Sequence, residues 1–308
     1  MTSELKTIID HIRFGASQFN AAGLSFGHSF DNALDESTQL VLHALHLPHD
    51  LSPVYGQSRL TADEKAAIHA LFAQRISLRK PACYLTGEAW FAGLSFKADA
   101  RALVPRSPIA ELIEADFEPW RAGRPIERVL DLCTGGGCIA IATAHHLPEV
   151  LVDGVDISQA ALDLAAENAQ RLQVADRVRL IQSDLFAALE GERYDLIVTN
   201  PPYVTRDEVA ALPDEYRHEP ERGLIGGADG LDLALRILRD APAHLTDSGF
   251  LICEVGESER ALMRLLPQVP FVWVEFKVGQ MGIFVVERED LLTWHIEIAA
   301  LAAERESQ

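Results

Sequence analysis

Cysteine is scarce in this 308-residue chain, with four in all. Cys83, Cys133, Cys138 and Cys253 include no CxxC pair, which argues against both a zinc site and a disulfide framework, and all four are read as structural. No run approaches the ~20 apolar residues that a membrane-spanning helix needs. Met1 to Asp10 carries acids among its apolar residues and lacks the basic start and apolar core of a signal peptide. The expectation is a cytoplasmic protein with reduced thiols. Basic charge is also short: 27 Lys and Arg face 46 Asp and Glu, a formal net charge of -19. A nucleic-acid binder normally needs a basic footprint to replace phosphate counterions. The acidic balance points instead to a basic protein partner, or simply to a soluble enzyme. Internal repeats and low-complexity segments are missing too.

What remains is ordinary globular composition, 48% hydrophobic and 24% charged, in a length that fits one large domain or two smaller ones with a real core. Residues 1–85 read as a small helical domain with helices at Glu4 to Ala22, at Asp35 to Leu47, and after Thr61-Ala62-Asp63-Glu64, which has capping-box spacing. Within it, Gly23 to Leu60 carries Asp31, Asp35, Glu36 and Asp50 against Arg59 alone, an acidic face suited to selecting a basic substrate. Residues 86–126 form a linker, where Trp90 to Phe96 is aromatic and turn-forming and suggests a hairpin before a connecting helix. From 127 to 308 strands alternate with helices: Val129 to Leu132, helix to His146, Val152 to Asp156, helix to Leu172, Val178 to Ile181, then Tyr194 to Thr199. Such alternation predicts an α/β doubly wound, mainly parallel sheet. Phe250 to Val255, Phe271 to Phe276 and Ile283 to Val286 add strands, the last two close enough to pair as an antiparallel edge.

Two motifs carry chemistry. Asp131-Leu132-Cys133-Thr134-Gly135-Gly136-Gly137 follows a strand and opens a helix, so its backbone N–H groups can approach a ligand closely. Gly135, Gly137 and Ala140 also satisfy the dinucleotide pattern, and Asp156 at the next strand end suits ribose hydroxyls in either cofactor class. Asp131 favours S-adenosylmethionine, because a carboxylate there attracts an amino-acid ammonium and would repel a pyrophosphate. Asp184, ending the third strand, either accepts from the adenine amine or caps a helix.

The second motif, Asn200-Pro201-Pro202-Tyr203, follows an apolar strand. An amide nitrogen has a delocalised lone pair, so it attacks a methyl sulfonium poorly unless its NH2 is held with that lone pair facing the methyl. The Asn200 side-chain oxygen and the Pro201 carbonyl can each accept one N–H from the same side, while the prolines stiffen the backbone. Tyr203 can lie flat on the planar group. Orientation and electrostatics carry such a reaction, since the nitrogen becomes strongly acidic as the methyl transfers and no general base is needed.

From about Gly87 through Glu287 the sequence resembles the class I methyltransferases with the Asn-Pro-Pro-Tyr motif, and among them the protein-glutamine N(5)-methyltransferases. The resemblance rests on Gly87-Glu88, Leu103-Val104-Pro105-Arg106, Asp131 to Gly137, Asp156, Asn200 to Tyr203, Glu219-Pro220 and Gly226-Gly227-Asp229-Gly230-Leu231. It implies that Cys133 to Gly137, Asp156 and Asn200 contact the cofactor, that Leu185 covers adenine, and that Asn200 to Tyr203 hold the glutamine. One branch of the family acts on peptide release factors and usually has Pro-Arg-Pro-Asp/Glu-Thr-Glu; here Pro105-Arg106-Ser107-Pro108-Ile109-Ala110-Glu111 stands instead. Phe26-Gly27-His28 and Asp31 to Glu36 resemble the branch that acts on large-subunit ribosomal protein L-three, which becomes the expected partner. Arg106 and Glu111 either line the substrate pocket or enter an ion pair that closes the domain junction. His28, His145 and His146 are read as structural. Release-factor methylation, adenine amino-methylation of a nucleic acid, and a cofactor-binding protein without turnover remain as alternatives. Neither DNA nor a membrane is expected as a partner.

Overall fold

The protein was analysed as a computed structural model that describes residues 4–28, 30–276 and 279–307. Met1 to Ser3, part of the leader reading above, lie outside them. The first helix, α1 (Ile8–Ala21), starts later than the apolar pattern suggests. Thr7 fixes its start through a capping box with Asp10, whose N–H meets Thr7 Oγ1 at 3.3 Å and whose carboxylate accepts the Thr7 N–H at 3.0 Å. Asn32 caps α2 (Ala33–Ala44), and Thr61 caps α3 (Ala62–Leu78) through the expected box with Glu64. Phe19, Leu40, Val41, Ile68 and Phe72 form the core shared by the three helices. Glu36 does not belong to an acidic face. It is 4% exposed, and Arg75, itself wholly buried, donates to it at 2.7 Å.

A short helix α4 (Ala82–Thr86) leads into the antiparallel hairpin of β1 (Glu88–Phe91) and β2 (Leu94–Lys97), followed by α5 (Ile109–Glu114). Phe91, Phe96, Ile109, Ile113 and Phe117 share one core with the central sheet. Segment 86–126 is therefore welded to the half that carries the central sheet by apolar burial.

The sheet contains β3 (Arg128–Leu132), β4 (Leu151–Asp156), β5 (Val178–Gln182), β6 (Tyr194–Thr199), β7 (Leu245–Glu254), β8 (Val272–Phe276) and β9 (Gly279–Glu287), in the order β5-β4-β3-β6-β7-β9-β8. The first five of that order run parallel; β9 inserts antiparallel between β7 and β8. The sheet is thus doubly wound and mainly parallel with an antiparallel edge, as the alternation predicts. Alternate residues feed opposite layers, as strand geometry requires. Leu196, Val198, Phe250 and Ile252 face the layer with α6 (Cys138–His146), whereas Ile197, Leu251 and Cys253 face α9 (Asp232–His244) and the C-terminal helices α11 (Arg288–Thr293) and α12 (His295–Glu306). These last two helices extend the architecture beyond the strands read from sequence. Helix α7 (Gln159–Arg171) follows β4, α8 (Arg206–Ala211) follows the Asn-Pro-Pro-Tyr motif, and α10 (Glu259–Leu265) follows β7.

Candidate active site

In an open α/β sheet, ligands bind beyond the carboxyl ends of the strands. The register pairs Leu132 with both Val155 and Thr199, which brings Cys133, Asp156 and Asn200 to neighbouring strand ends. Thr199 Oγ1 locks the β3 and β6 ends together by donating to the Leu132 carbonyl at 2.8 Å. Beyond them opens a cavity of about 870 Å³. Its walls include the loop Cys133 to Gly136, Asp156, Asp184 and Leu185, together with Asn200 to Tyr203, Arg106 and Tyr216.

The glycine loop is shaped by two carboxylates. Asp156 accepts Gly135 N–H at 2.9 Å and Ser158 N–H at 2.8 Å, so it holds the loop while lining the cavity. Burial raises its pKa, and those backbone bonds pull it back. Asp131 lies beneath the loop, wholly buried; its Oδ2 accepts Thr134 Oγ1 at 2.5 Å and Ala140 N–H at 3.0 Å. Its Oδ1 is buried with no hydrogen-bond partner, and burial pushes the acid up to about 7. An orphaned buried acceptor is costly, and an ammonium-bearing ligand placed at this loop would relieve it. Cys133 and Leu185 adopt left-handed φ values of 59° and 47°, conformations that cost non-glycine residues of order 1–3 kcal/mol and tend to cluster at functional sites. These features fit S-adenosylmethionine, whose ammonium would meet the Asp131 side of the loop and whose ribose would meet Asp156. Gly137 caps α6 rather than lining the cavity, and Asp184 is held by Arg236 at 3.1 Å, at the cavity rim.

The Asn-Pro-Pro-Tyr motif is braced from two directions. Tyr203 donates to Glu254 Oε1 at 2.7 Å, and Ser107 donates to Glu254 Oε2 at 2.5 Å. Glu254 closes β7, is 3% exposed, and burial raises its pKa to about 7. The return segment after the motif pairs with it: Val204 N–H reaches Leu224 O and Gly226 N–H reaches Val204 O, each at 2.9 Å. At Gly226 a Cβ would sit 2.5 Å from the Pro202 carbonyl oxygen, so only glycine lets the backbones approach this closely.

Arg106 both lines the cavity and enters an ion pair, and its partner is Glu219, bound through both guanidinium ends at 2.7 and 2.8 Å. Glu111 is not in the cavity wall. Glu219 also accepts Val104 N–H at 2.9 Å. His28 is 3% exposed against the Tyr216 ring, and burial lowers its pKa to about 4. His146 is likewise bound into structure, with Nε2 3.0 Å from the Ala92 carbonyl. Ser107 and Tyr216 line the cavity and Glu254 holds Ser107 and Tyr203 from behind it, three residues that motif reading alone misses. The signal for Glu254 was present, since it ends the strand next to the one that delivers Asn200.

The family of methyltransferase small domains matches residues 121–212. A ribosomal protein uL3 glutamine methyltransferase of Xanthomonas campestris pv. campestris is 68% identical over 98% of this chain and 98% of its own length. A protein of the same name from Xylella fastidiosa is 67% identical over 98% of this chain and 96% of its own. A methyltransferase crystal structure from Pyrococcus furiosus superposes with a TM-score of 0.47 at 19% identity, over 74% of this chain and 99% of that one. The near-complete coverage at two-thirds identity decides the assignment: the chain belongs to the ribosomal protein uL3 glutamine methyltransferases, S-adenosylmethionine-dependent enzymes of the class I methyltransferase fold.

Proposed function

We propose that the chain methylates the side-chain amide nitrogen of a glutamine in ribosomal protein uL3, with Asn200, Pro201, Pro202 and Tyr203 holding the amide. The observation that carries this reading is the placement of Asn200 and Pro201 on the cavity wall at the strand end adjoining the glycine loop. Bound S-adenosylmethionine supplies an electrophilic methyl group. Asp131, Cys133, Thr134, Gly135, Gly136, Gly137, Asp156, Asp184 and Leu185 form its cradle, some by direct contact and others, such as Asp131 and Gly137, by shaping the loop. The Asn200 side-chain oxygen and the Pro201 carbonyl accept the two amide N–H groups, which turns the nitrogen lone pair toward the methyl. Tyr203, held by Glu254, supports the amide plane, and the proton released from nitrogen passes to solvent. The N-terminal helices select the substrate, and a ribosomal-protein substrate fits a cytoplasmic location.

Incubation with isotopically labelled S-adenosylmethionine and, separately, purified uL3, a peptide release factor and RNA tests this reading. Mass spectrometry should place one methyl on a glutamine of uL3. Label in the release factor or RNA alone would overturn the substrate assignment.

A further inference from the structure

The segment between the reactive motif and α9 is pinned at its middle to helices more than a hundred residues away. Glu215 is wholly buried although it belongs to a short connecting turn. Ser25 N–H donates to its Oε1 at 3.0 Å, Arg75 Nη1 lies 3.4 Å away, and Arg79 Nη2 lies 2.9 Å away. Arg75 is itself wholly buried and also binds Glu36 and, at 2.9 Å, the Ser25 carbonyl. Every cation in this cluster comes from α3 or the residue following it. Of its two anions, Glu36 comes from α2, and Glu215 comes from the half that carries the central sheet.

The next residue carries this anchor to the cavity. Tyr216 lines it, with its ring 4.2 Å from that of His28 and the Arg106 guanidinium 5.4 Å from its centroid. Three residues further, Glu219 grips Arg106, and the chain then returns to pair with Val204 directly after the motif. Among the described residues no hydrogen bond or ion pair runs from Glu215, Tyr216 or Glu219 to the loop Cys133 to Gly136 or to Asp156; from the same segment only the charge of Arg222 acts on Asp156.

We propose that Glu215 is a positioning residue through which the N-terminal helices hold the substrate-facing wall of the cavity. The role rests on the glutamine-methylation reading given above. A buried carboxylate matched to fixed donors has one well-defined seat, so the cluster sets geometry where apolar contact alone would leave the segment free to slide. The N-terminal helices then do more than recognise the substrate, because they anchor a wall that they do not themselves line.

The test uses the full-length enzyme with Glu215→Gln, which keeps the shape but sets an amide N–H2 against the arginine donors. KM for uL3 should rise about tenfold or more while cofactor Kd by calorimetry stays within about twofold. Amide hydrogen exchange should accelerate across 213–227 and stay unchanged across 133–140. Glu215→Asp, which retains the charge, should recover part of the lost KM. If Glu215→Gln does not fold, Arg79→Ala should move the same quantities in the same direction by less. Unchanged KM and exchange, or cofactor affinity falling in step with KM, would overturn the role. Failure of the wild-type enzyme to methylate uL3 would instead sink the substrate reading, and the exchange comparison would still decide for or against Glu215.

Discussion

Tyr203 donates its phenol O–H to Glu254 at 2.7 Å, so the reactive motif at the end of β6 is fastened to a buried acid at the end of β7. With Ser107 bound to the other oxygen, Glu254 joins three chain segments at one point.

This acid makes stability depend on pH with a definite sign. Its pKa rises from 4.5 to about 7 because burial disfavours the charged form. Between those values the folded state binds the extra proton, so stability falls as pH rises through the interval. Glu254→Gln cannot ionise. Relative to wild type, it should gain on the order of 3 kcal/mol between about pH 5 and about pH 8, read from urea unfolding at both values. A difference between the two proteins that does not change with pH would show that Glu254 is ionised throughout.

Replacing Asn200 with alanine removes one of the two acceptors proposed to orient the amide and leaves the loop around Asp131 and Asp156 in place. Cofactor affinity should stay within about tenfold, ~1.4 kcal/mol, while turnover falls about a hundredfold or more. Single-turnover kinetics with saturating cofactor make the measurement. Undiminished turnover would remove Asn200 from the reacting group.

Asp156→Ala should do the reverse. The substitution deletes the proposed acceptor for ribose hydroxyls and releases Gly135 N–H and Ser158 N–H, so the loop loses its brace with the contact. Two charge-assisted bonds at ~1.5 to 3 kcal/mol each set the expected loss of affinity. Calorimetry giving an unchanged Kd would place the ribose elsewhere.

Much of this was legible in the sequence, because the signals were local. Thr61 and Glu64 announced a helix start, and the apolar run Tyr194 to Thr199 marked its strand to the residue. Thr7 was missed as a cap since the apolar pattern begins before it. The partners of charged residues could not be read. Arg106 found Glu219, 113 positions away, rather than the nearby Glu111, and Glu36 turned inward to Arg75. Such pairings depend on how distant segments meet, and no spacing rule encodes that.

The inward turn of Glu36 also narrows the acidic face that the N-terminal helices offer a basic protein. Asp31, Asp35 and Asp50 remain exposed, with Arg59 exposed as their counterweight. Charges of this kind steer encounter and act mainly on association rate. Their reach is about 8 Å at physiological ionic strength. Methylation at sub-saturating uL3 should therefore fall as salt is added, while cofactor affinity changes much less. Changing Asp31, Asp35 and Asp50 together to asparagine should lower kcat/KM at low salt and flatten its salt dependence, with Glu36 left in place to preserve the Arg75 cluster. If the triple variant keeps both the efficiency and the salt dependence of wild type, this face does not steer the substrate, and recognition must come from the cavity rim and the segment that Glu215 anchors.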